Sequence, residues 1–233
     1  MLKIEGVNCY YGRLHVLHDL TLEVGDESVG LFGPNGAGKT TLVNAILGMM
    51  PVRRGTIVLD GREIQNRPTH EIVRSGVALV PQERELFPLM TVRENLMIGA
   101  EQIPQARERA EETMEEVFEH FPILRERVGQ LAVTMSGGQQ RMLALGRALM
   151  ARPSVLILDE PSLGLQPSIV HTLFGTLTEM KRETSILVTE QNVRESLRAV
   201  DRGYVLENGS VVIQGSAESL AHDPEVERSY LGL

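Results

Sequence analysis

The segment Gly33–Thr40, with the sequence GPNGAGKT, carries residues whose types and spacing suit a triphosphate. It fits the pattern G-x-x-x-x-G-K-[ST] at every fixed position. Its glycines let backbone N–H groups approach phosphate oxygens, and Thr40 offers a hydroxyl to Mg²⁺. Lys39 adds a full positive charge and is not expected to be a core residue. The predicted nucleotide-binding residues of this segment are Gly33, Pro34, Asn35, Gly36, Ala37, Gly38, Lys39, Thr40 and Thr41.

The flanks of this loop favour a nucleotide site over a plain glycine-rich turn between two core elements. Val29–Phe32 is a short apolar run before the loop, and Thr41–Leu47 carries apolar residues at helical spacing after it. A helix that begins here directs its positive end at a bound anion. The predicted order is therefore strand, phosphate-binding loop and helix.

Two adjacent carboxylates follow a second apolar run. Val155–Leu158 predicts a strand buried on both faces, and Asp159 and Glu160 stand at its carboxyl end. Buried carboxylates need positive partners, which Mg²⁺ and a catalytic water would supply. In phosphoryl transfer one acid can hold the metal, and its neighbour can orient or deprotonate the attacking water.

Glutamines follow two further predicted strands. Gln82 comes after the β-rich run Val77–Val80 and Pro81, and Gln191 lies in the polar stretch after Ser185–Thr189. Ligands of α/β sheets collect at the carboxyl ends of strands, so Gln82 is well placed to meet Mg²⁺ or a nucleophilic water. A solvated loop glutamine is the alternative.

A second glycine-rich helix start lies at Met135–Arg141, with the sequence MSGGQQR. Ser136 followed three residues later by Gln139 is a capping-box pattern, which predicts that a helix begins at Ser136. Gly137 and Gly138 leave the first N–H groups of this helix open. The start of the helix is therefore a second potential anion site.

An aromatic residue lies between the first two predicted strands. Leu2–Cys9 and His15–Val24 carry alternating apolar residues, which predicts two antiparallel strands around a turn at Tyr10–Gly12. Tyr11 in this turn could pack against the core or stack on an adenine ring, since aromatic side chains serve both uses. The phosphate-binding loop favours the adenine role.

The middle of the chain changes to helix-forming residues. From Glu94 to about Arg127 apolar residues recur at helical spacing, and the charged residues between them are interpreted as a solvated surface. Pro104 can open a helix and Pro122 ends the run. This region predicts a helical insertion at about residues 85–150 of a single domain, 1–233. The apolar stripe consists of Ala106, Ala110, Met114, Val117, Phe118 and Phe121.

Composition excludes several classes of function. The 233 residues are 42% hydrophobic and carry a formal net charge of −8, which allows a sizeable core and disfavours nucleic acid as a partner. The single cysteine, Cys9, cannot form an internal disulfide, which fits a reducing compartment. The first residues do not resemble a secretory signal, and no segment approaches the ~20 apolar residues that cross a bilayer. Any connection with a membrane is therefore expected to depend on another chain.

These segments resemble the ATP-binding-cassette (ABC) ATPases in order and spacing over nearly the whole chain. The stretch SGGQ, placed before the strand that ends in Asp159 and Glu160, is similar to a signature of this family alone. The resemblance implies an α/β fold with a P-loop nucleotide-binding core and mixed sheet, an N-terminal antiparallel β subdomain and an inserted α-helical subdomain. It also implies hydrolysis of ATP with Mg²⁺.

The resemblance implies a role for each site residue. Tyr11 would stack on adenine, Lys39 would hold the phosphates, Gln82 would sense the γ-phosphate and contact a membrane subunit, and Glu160 would be the catalytic base. The metal ligands would be Thr40, Gln82 and Asp159. The residues that contact the ATP of a second ABC ATPase subunit would be Ser136, Gly137, Gly138 and Gln139.

Three positions depart from the usual pattern of the family. Met135 stands where leucine is usual, Gln166 where many members have aspartate, and Gln191 where most have histidine. A histidine can both donate a hydrogen bond and titrate near neutral pH, whereas a glutamine only donates. We expect Gln191 to act in catalysis as a neutral donor. The resemblance implies a working dimer with a second ABC ATPase subunit, which is either another copy of this chain or a different chain, and Gln191 favours a different subunit that bears the histidine.

The runs LFPLMTVRENL and Tyr204–Gly209 are similar to those of ATPase subunits of importers for branched-chain amino acids or related amides. Such a subunit would act at the cytoplasmic face of the inner membrane with integral membrane permease subunits and, indirectly, a solute-binding protein. A soluble ABC ATPase acting on DNA or ribosomes is the alternative, but the spacing between Lys39 and Ser136 leaves no room for the insertions of such proteins. A small-molecule kinase would leave MSGGQQR unexplained.

Overall fold

The computed structural model describes residues 1–180 and 184–228, so the end of the predicted domain, 229–233, lies outside the described residues. The strands are β1 (Leu2–Tyr11), β2 (Leu14–Val24), β3 (Ser28–Phe32), β4 (Val52–Leu59), β5 (Arg62–Glu63), β6 (Val77–Val80), β7 (Val155–Asp159), β8 (Ser185–Glu190), β9 (Arg202–Glu207) and β10 (Ser210–Ser216). The α-helices are α1 (Lys39–Ile46), α2 (Thr69–Arg74), α3 (Val92–Glu101), α4 (Pro104–Glu108), α5 (Ala110–His120), α6 (Pro122–Glu126), α7 (Gly137–Leu149), α8 (Pro167–Met180), α9 (Val193–Ser196), α10 (Ala217–Ala221) and α11 (Pro224–Val226).

Two sheets organise the described part of the chain. One is a four-stranded antiparallel sheet in the order β2-β1-β4-β5. The other has six strands in the order β10-β9-β3-β8-β7-β6, with parallel pairing from β9 to β6 and antiparallel pairing of β10 with β9. The predicted fold class, α/β with a mixed sheet and an N-terminal antiparallel sheet, is confirmed.

The strands β3, β8 and β7 form the centre of the six-stranded sheet, and every residue of each is buried. Strands covered on both faces need apolar residues at nearly every position, which explains the continuous apolar runs in the sequence. Because β3, β8, β7 and β6 are parallel, their carboxyl ends meet at one edge of the sheet. The phosphate-binding loop, Gln191, Glu160 and Gln82 follow these strands and are therefore gathered along that edge.

The helices α3 to α7 lie between β6 and β7. The predicted apolar stripe is buried, and it packs with Leu143 and Leu145 of α7 in one core cluster. The charged side chains outside this core form largely exposed ion pairs, each of which contributes little to stability. These pairs are Arg93–Glu111, Arg109–Glu112, Arg125–Glu115 and Arg152–Glu116.

The helical region is not one continuous helix. Four helices, α3 to α6, cover the stretch predicted from Glu94 to about Arg127. Pro104 and Pro122 each occupy the start of a helix, where the missing N–H of proline is not needed. Among the described residues, no helix has both the length and the apolar composition for crossing a bilayer.

Two elements near the site extend beyond the apolar runs seen in the sequence. The predicted end of β1 is wrong by two residues, since β1 continues through Tyr11 and the turn before β2 is at Gly12–Arg13 instead of Tyr10–Gly12. α1 begins at Lys39, within the phosphate-binding loop, ahead of the apolar spacing at Thr41–Leu47. Both differences extend regular structure toward the phosphate-binding loop, so that the residues predicted to do chemistry lie at the ends of rigid elements.

Candidate functional site

The phosphate-binding loop joins β3 to α1, and the hairpin of β9 and β10 packs against it and donates a hydrogen bond to it. A Cβ on Gly33 would lie 2.2 Å from the carbonyl oxygen of Leu206, a distance that no side chain tolerates. The N–H of Gly209, at the tip of the hairpin, donates to the carbonyl oxygen of Ala37 at 2.9 Å. Gly38 adopts a φ of +114°, which favours glycine. The glycines of the loop therefore serve close packing as well as ligand access.

Lys39 is the first residue of α1, and its side chain is only 4% exposed. Its Nζ donates to the carbonyl oxygens of Gly33, at 2.9 Å, and Pro34, at 3.2 Å. It also lies 3.1 Å from Oε1 of Glu160. Lys39 is thus buried, contrary to expectation, although its charged group has polar partners. The ammonium group stands inside the curve of the loop, where phosphate oxygens would approach.

The two carboxylates lie at the end of β7, as predicted. Asp159 accepts a hydrogen bond from the hydroxyl of Thr189 on the neighbouring strand β8. The backbone N–H of Glu160 donates to the carbonyl oxygen of Thr189 at 3.0 Å, and Glu160 has a φ of +47°. This backbone conformation costs a residue with a Cβ about 1 kcal/mol or more, so the surroundings must enforce it. It sets the direction in which the Glu160 side chain leaves the strand.

One cleft of about 520 Å³ brings together nine residues predicted to act on a nucleotide. Tyr11 comes from the end of β1, Lys39 and Thr40 come from α1, Gln82 follows β6, and Glu160 follows β7. Tyr11 is 50% exposed, so its ring is not a core packing residue. The other residues that line this cleft are Leu14, Val16, Asn35, Gly36, Gly38, Thr41 and Leu163.

Sequence reasoning missed three apolar residues of this cleft. Leu14 and Val16 are two positions apart in β2, so their side chains share a face of the strand. Together with Tyr11 they provide an apolar wall. The alternating pattern of β2 contained this signal, but only the fold shows which face meets the loop. Leu163 lies in the irregular segment after Glu160, where no periodicity could indicate it.

Ser136 caps α7 in the way the sequence predicts. Its N–H donates to Oε1 of Gln139 at 3.0 Å, and the N–H of Gln139 donates to Oγ of Ser136 at 3.4 Å. A Cβ on Gly138 would lie 2.9 Å from Cγ2 of Ile169, so contact with α8 also favours glycine. These residues do not line the cleft around Lys39. Ser136 is exposed, and the start of α7 is therefore accessible to a second molecule.

The end of β8 presents one exposed and one buried polar side chain. Gln191 is exposed and is not among the residues that line the cleft. Glu190 is buried and accepts a hydrogen bond from the N–H of Ser162 at 2.8 Å. Burial raises the pKa of Glu190, and the charge of Glu160 acts in the same direction. Glu190 was not among the predicted site residues, although an acidic residue at the end of a buried apolar strand is the same pattern that indicated Asp159 and Glu160.

The predicted Mg²⁺ ligands have the oxygen chemistry that this ion prefers. Thr40 and Gln82 line the cleft, and the buried Asp159 carboxylate is fixed by Thr189. In the part of the chain that the structure describes, no three acidic, histidine or cysteine side chains form a group that could hold a metal. Mg²⁺ is commonly bound through one or two carboxylates together with substrate phosphates and water. The donor set therefore fits an ion that arrives with a nucleotide.

A phosphate-binding loop on β3, an Asp-Glu pair on β7 and a capped SGGQ helix start define an ATP-binding cassette. In agreement, the family model for ABC transporters matches residues 17–163. The chain belongs to the ABC transporter family, and it is an ATPase subunit of a transporter.

The relatives and structural neighbours of the chain are similar over their full lengths. The chain is 42% identical to BraG of Pseudomonas aeruginosa, a high-affinity branched-chain amino acid transport ATP-binding protein, over 100% of both chains. It is 37% identical to LptB of Haemophilus influenzae, a lipopolysaccharide export system ATP-binding protein, over 100% of this chain and 97% of LptB. The ADP conformation of MJ1267, an ATP-binding cassette of an ABC transporter, has a TM-score of 0.85 at 28% identity, over 100% of this chain and 99% of MJ1267. The resemblance to ABC ATPases found in the sequence is confirmed.

Proposed function

We propose that this chain powers the import of branched-chain amino acids or related amides through a membrane permease, by binding and hydrolysing ATP. The observation that carries the proposal is the 42% identity to BraG over the whole length of both chains. The identity to LptB is lower, at 37%, and makes lipopolysaccharide export the second candidate. In either case the transported solute is selected by other chains of the transporter.

In this proposal ATP lies in the cleft with its adenine at Tyr11 and its phosphates at the loop. Adenine stacks on the exposed ring of Tyr11, beside Leu14 and Val16. The phosphates then lie in the curve of the loop, next to Lys39 and the positive end of α1. Mg²⁺, when bound, would neutralise phosphate charge. The residues that would hold it are Thr40, Gln82 and Asp159.

Glu160 is the general base in this proposal. Its carboxylate lines the cleft beside Lys39, and its backbone is fixed by Thr189. A water between Glu160 and the γ-phosphorus would give its proton to the carboxylate as its oxygen attacks, and ADP would leave. Gln82 can orient this water through its side-chain amide. Fixing these groups before the reaction reduces the reorganisation that it requires.

A second ATPase subunit completes the site. Ser136, Gly137, Gly138 and Gln139 form an exposed or half-exposed helix start outside the cleft of the same chain, and the N–H groups of Gly137 and Gly138 take no part in its capping box. They are proposed to contact the γ-phosphate of ATP bound to the partner subunit. Because Gln191 replaces the usual histidine, the partner is proposed to be a different ATPase subunit that carries it.

An exposed apolar patch is proposed as the docking surface for the permease. It consists of Phe87, Leu89, Leu131 and Val133, and Leu89 is 80% exposed. The segments 87–89 and 131–133, which carry these residues, are held together, since the N–H of Val133 donates to the carbonyl oxygen of Pro88 at 3.0 Å. Clusters of exposed large apolar side chains commonly mark interaction sites. The patch continues the segment that begins at Gln82, so a docked permease segment would lie close to the nucleotide cleft.

The transport proposal is tested by uptake in the source organism. Deletion of the gene should abolish most high-affinity uptake of labelled leucine, isoleucine or valine, and the parent gene should restore it. The Glu160→Gln variant, expressed at the same level, should not. Unchanged uptake together with accumulation of lipopolysaccharide in the inner membrane would replace import by export.

The docking surface has a matched test. Leu89→Asp should release the chain from the membrane fraction, because it places a charge in the centre of the patch. Val212→Asp is the control, since Val212 is also an exposed apolar residue but lies on β10, away from the patch. Equal membrane association of the two variants would contradict the assignment of the surface.

A further inference from the structure

The segment that carries Gln82 is held by the side chain of Arg141 from α7. Arg141 is 2% exposed. Its Nη1 donates to the carbonyl oxygen of Pro81 and its Nη2 to that of Gln82, both at 2.8 Å. A guanidinium group is a rigid, planar fork, so two such bonds fix the position of two consecutive peptide groups. The backbone at Gln82 is therefore placed by a helix distant in sequence.

Further contacts connect the same segment with α7. Nη1 of Arg84 donates to Oε1 of Gln140 at 2.8 Å. Nη1 of Arg147 donates to the carbonyl oxygen of Glu85 at 2.8 Å. The residues 81–85 thus have four hydrogen bonds to side chains of one helix. A segment with this many fixed points moves with the helix that holds it.

The N-cap of α7 is Ser136, which is exposed and accessible to a second subunit. One end of α7 therefore presents the proposed contact with the partner subunit's ATP. Arg141 of the same helix holds the backbone of Gln82, which lines the nucleotide cleft of this chain. The spacing is short, because Arg141 lies only five residues after Ser136. The Nε of Arg141 has no hydrogen-bond partner among the described residues.

We propose that Arg141 is a positioning residue for hydrolysis: it places Gln82 in the nucleotide cleft and makes this placement depend on the position of the SGGQ helix start. When a second subunit engages Ser136, the displacement of α7 is passed to Gln82 by the guanidinium fork. Arg141 itself does not touch ATP. The inference rests on the role proposed for Gln82 and is independent of the transported solute.

A double-mutant cycle tests the proposal with the purified chain, together with its partner subunit if hydrolysis requires it. The variants are Gln82→Ala, Arg141→Gln and the combination of both. Each single substitution should lower kcat by about tenfold or more, because Arg141→Gln loses two charge-assisted hydrogen bonds and Gln82→Ala loses the side chain that they position. The affinity for ATP should change by less than about threefold. The combined variant should be no slower than the slower single variant, because Arg141 acts through Gln82.

Two further variants separate positioning from stability. Arg141→Lys keeps the charge but lacks the planar fork, so it should remain slow even where its melting temperature equals that of the parent. Arg109→Gln removes an exposed arginine that pairs with Glu112 in the helical region, away from residues 81–85, and should leave kcat within about twofold.

Three outcomes would overturn the inference. Additive losses in kcat would show that Arg141 and Gln82 act independently, and full activity of Arg141→Lys would show that only the charge matters. If Gln82→Ala alone is fully active, the role proposed for Gln82 fails, and with it the action of Arg141 through this residue.

Discussion

The carboxylate of Glu160 lies 3.1 Å from the ammonium group of Lys39, and their side chains are 12% and 4% exposed. A charge pair with so little solvent contact depends strongly on both partners, because removing one leaves the other desolvated and unpaired. The two residues therefore cannot be altered independently. In the proposed function, a triphosphate bound at Lys39 would compete with Glu160 for the same ammonium group, and the carboxylate would then be free to act on a water.

Lys39→Ala should remove most of the affinity for ATP, because the loop loses its full positive charge beside the phosphates. It should also lower the melting temperature of the chain, since Glu160 is left without its buried partner. Titration with a fluorescent ATP analogue and thermal unfolding measure the two effects. Lys3→Ala removes the same charge from β1 and serves as the control. An unchanged affinity would contradict the role of Lys39.

Glu160→Gln should retain ATP binding and lower turnover by about two orders of magnitude or more, the scale of a lost general base. Because ATP is no longer consumed, the variant should form a long-lived ATP-bound dimer with its partner subunit. Gel filtration with ATP and a steady-state hydrolysis assay test this. Glu63→Gln, an exposed residue of β5, is the control. Normal hydrolysis by a monomeric Glu160→Gln variant would show that another group is the base.

Gln191→Ala should lower turnover by roughly tenfold to a hundredfold if the amide donates to the γ-phosphate in the transition state. Gln191→His should raise activity or introduce a new pH dependence between pH 6 and 9, because imidazole titrates near this range. Since Gln191 is exposed and outside the cleft, the contact requires the assembled ATP-bound dimer. An alanine variant within about twofold of the parent, a gap under ~0.4 kcal/mol, would remove the basis for a histidine-bearing partner subunit.

The pH dependence of stability should change with Glu190→Gln. Burial raises the pKa of Glu190 above its ordinary value of 4.5. Between the unfolded and the folded pKa the native state binds more protons than the unfolded state, so the free energy of unfolding contributed by this group falls as pH rises. The glutamine variant should therefore gain stability relative to the parent as pH rises above about 4.5. Chemical unfolding across this range measures the difference, with the exposed residue Glu5 changed to Gln as control. Parallel stability profiles would contradict the prediction.

Much of the site was predictable because its motifs are local. The glycines and Lys39 of the phosphate-binding loop, and the capping pattern of Ser136 and Gln139, specify backbone geometry within a few residues. The continuous apolar run before Asp159 specifies a central parallel strand. These features need no knowledge of distant residues.

What the sequence did not reveal depends on contacts between distant segments. The pairing of Lys39 with Glu160, and therefore the burial of Lys39, arises only when the carboxyl ends of β3 and β7 come to lie along the same edge of the sheet. The hydrogen bonds from Arg141 to the carbonyl oxygens of Pro81 and Gln82 join α7 to the segment that follows β6, across the helical region. Side-chain partners of this kind follow from tertiary packing and leave no periodic pattern in the sequence.

The support of the phosphate-binding loop by the β9–β10 hairpin has a consequence for synthesis of the chain on the ribosome. The loop emerges well before Leu206 and Gly209, which hold it, because both residues lie far downstream in the sequence. The strand β3 likewise lies between β8 and β9, both of which are made much later. A nascent chain that ends before β8 therefore lacks both strands that pair with β3, and its phosphate-binding loop lacks the contacts with the β9–β10 hairpin. The nucleotide site should therefore mature only after β8, β9 and β10 have been synthesised, so a nascent chain should not be stabilised by ATP before these strands have left the exit tunnel.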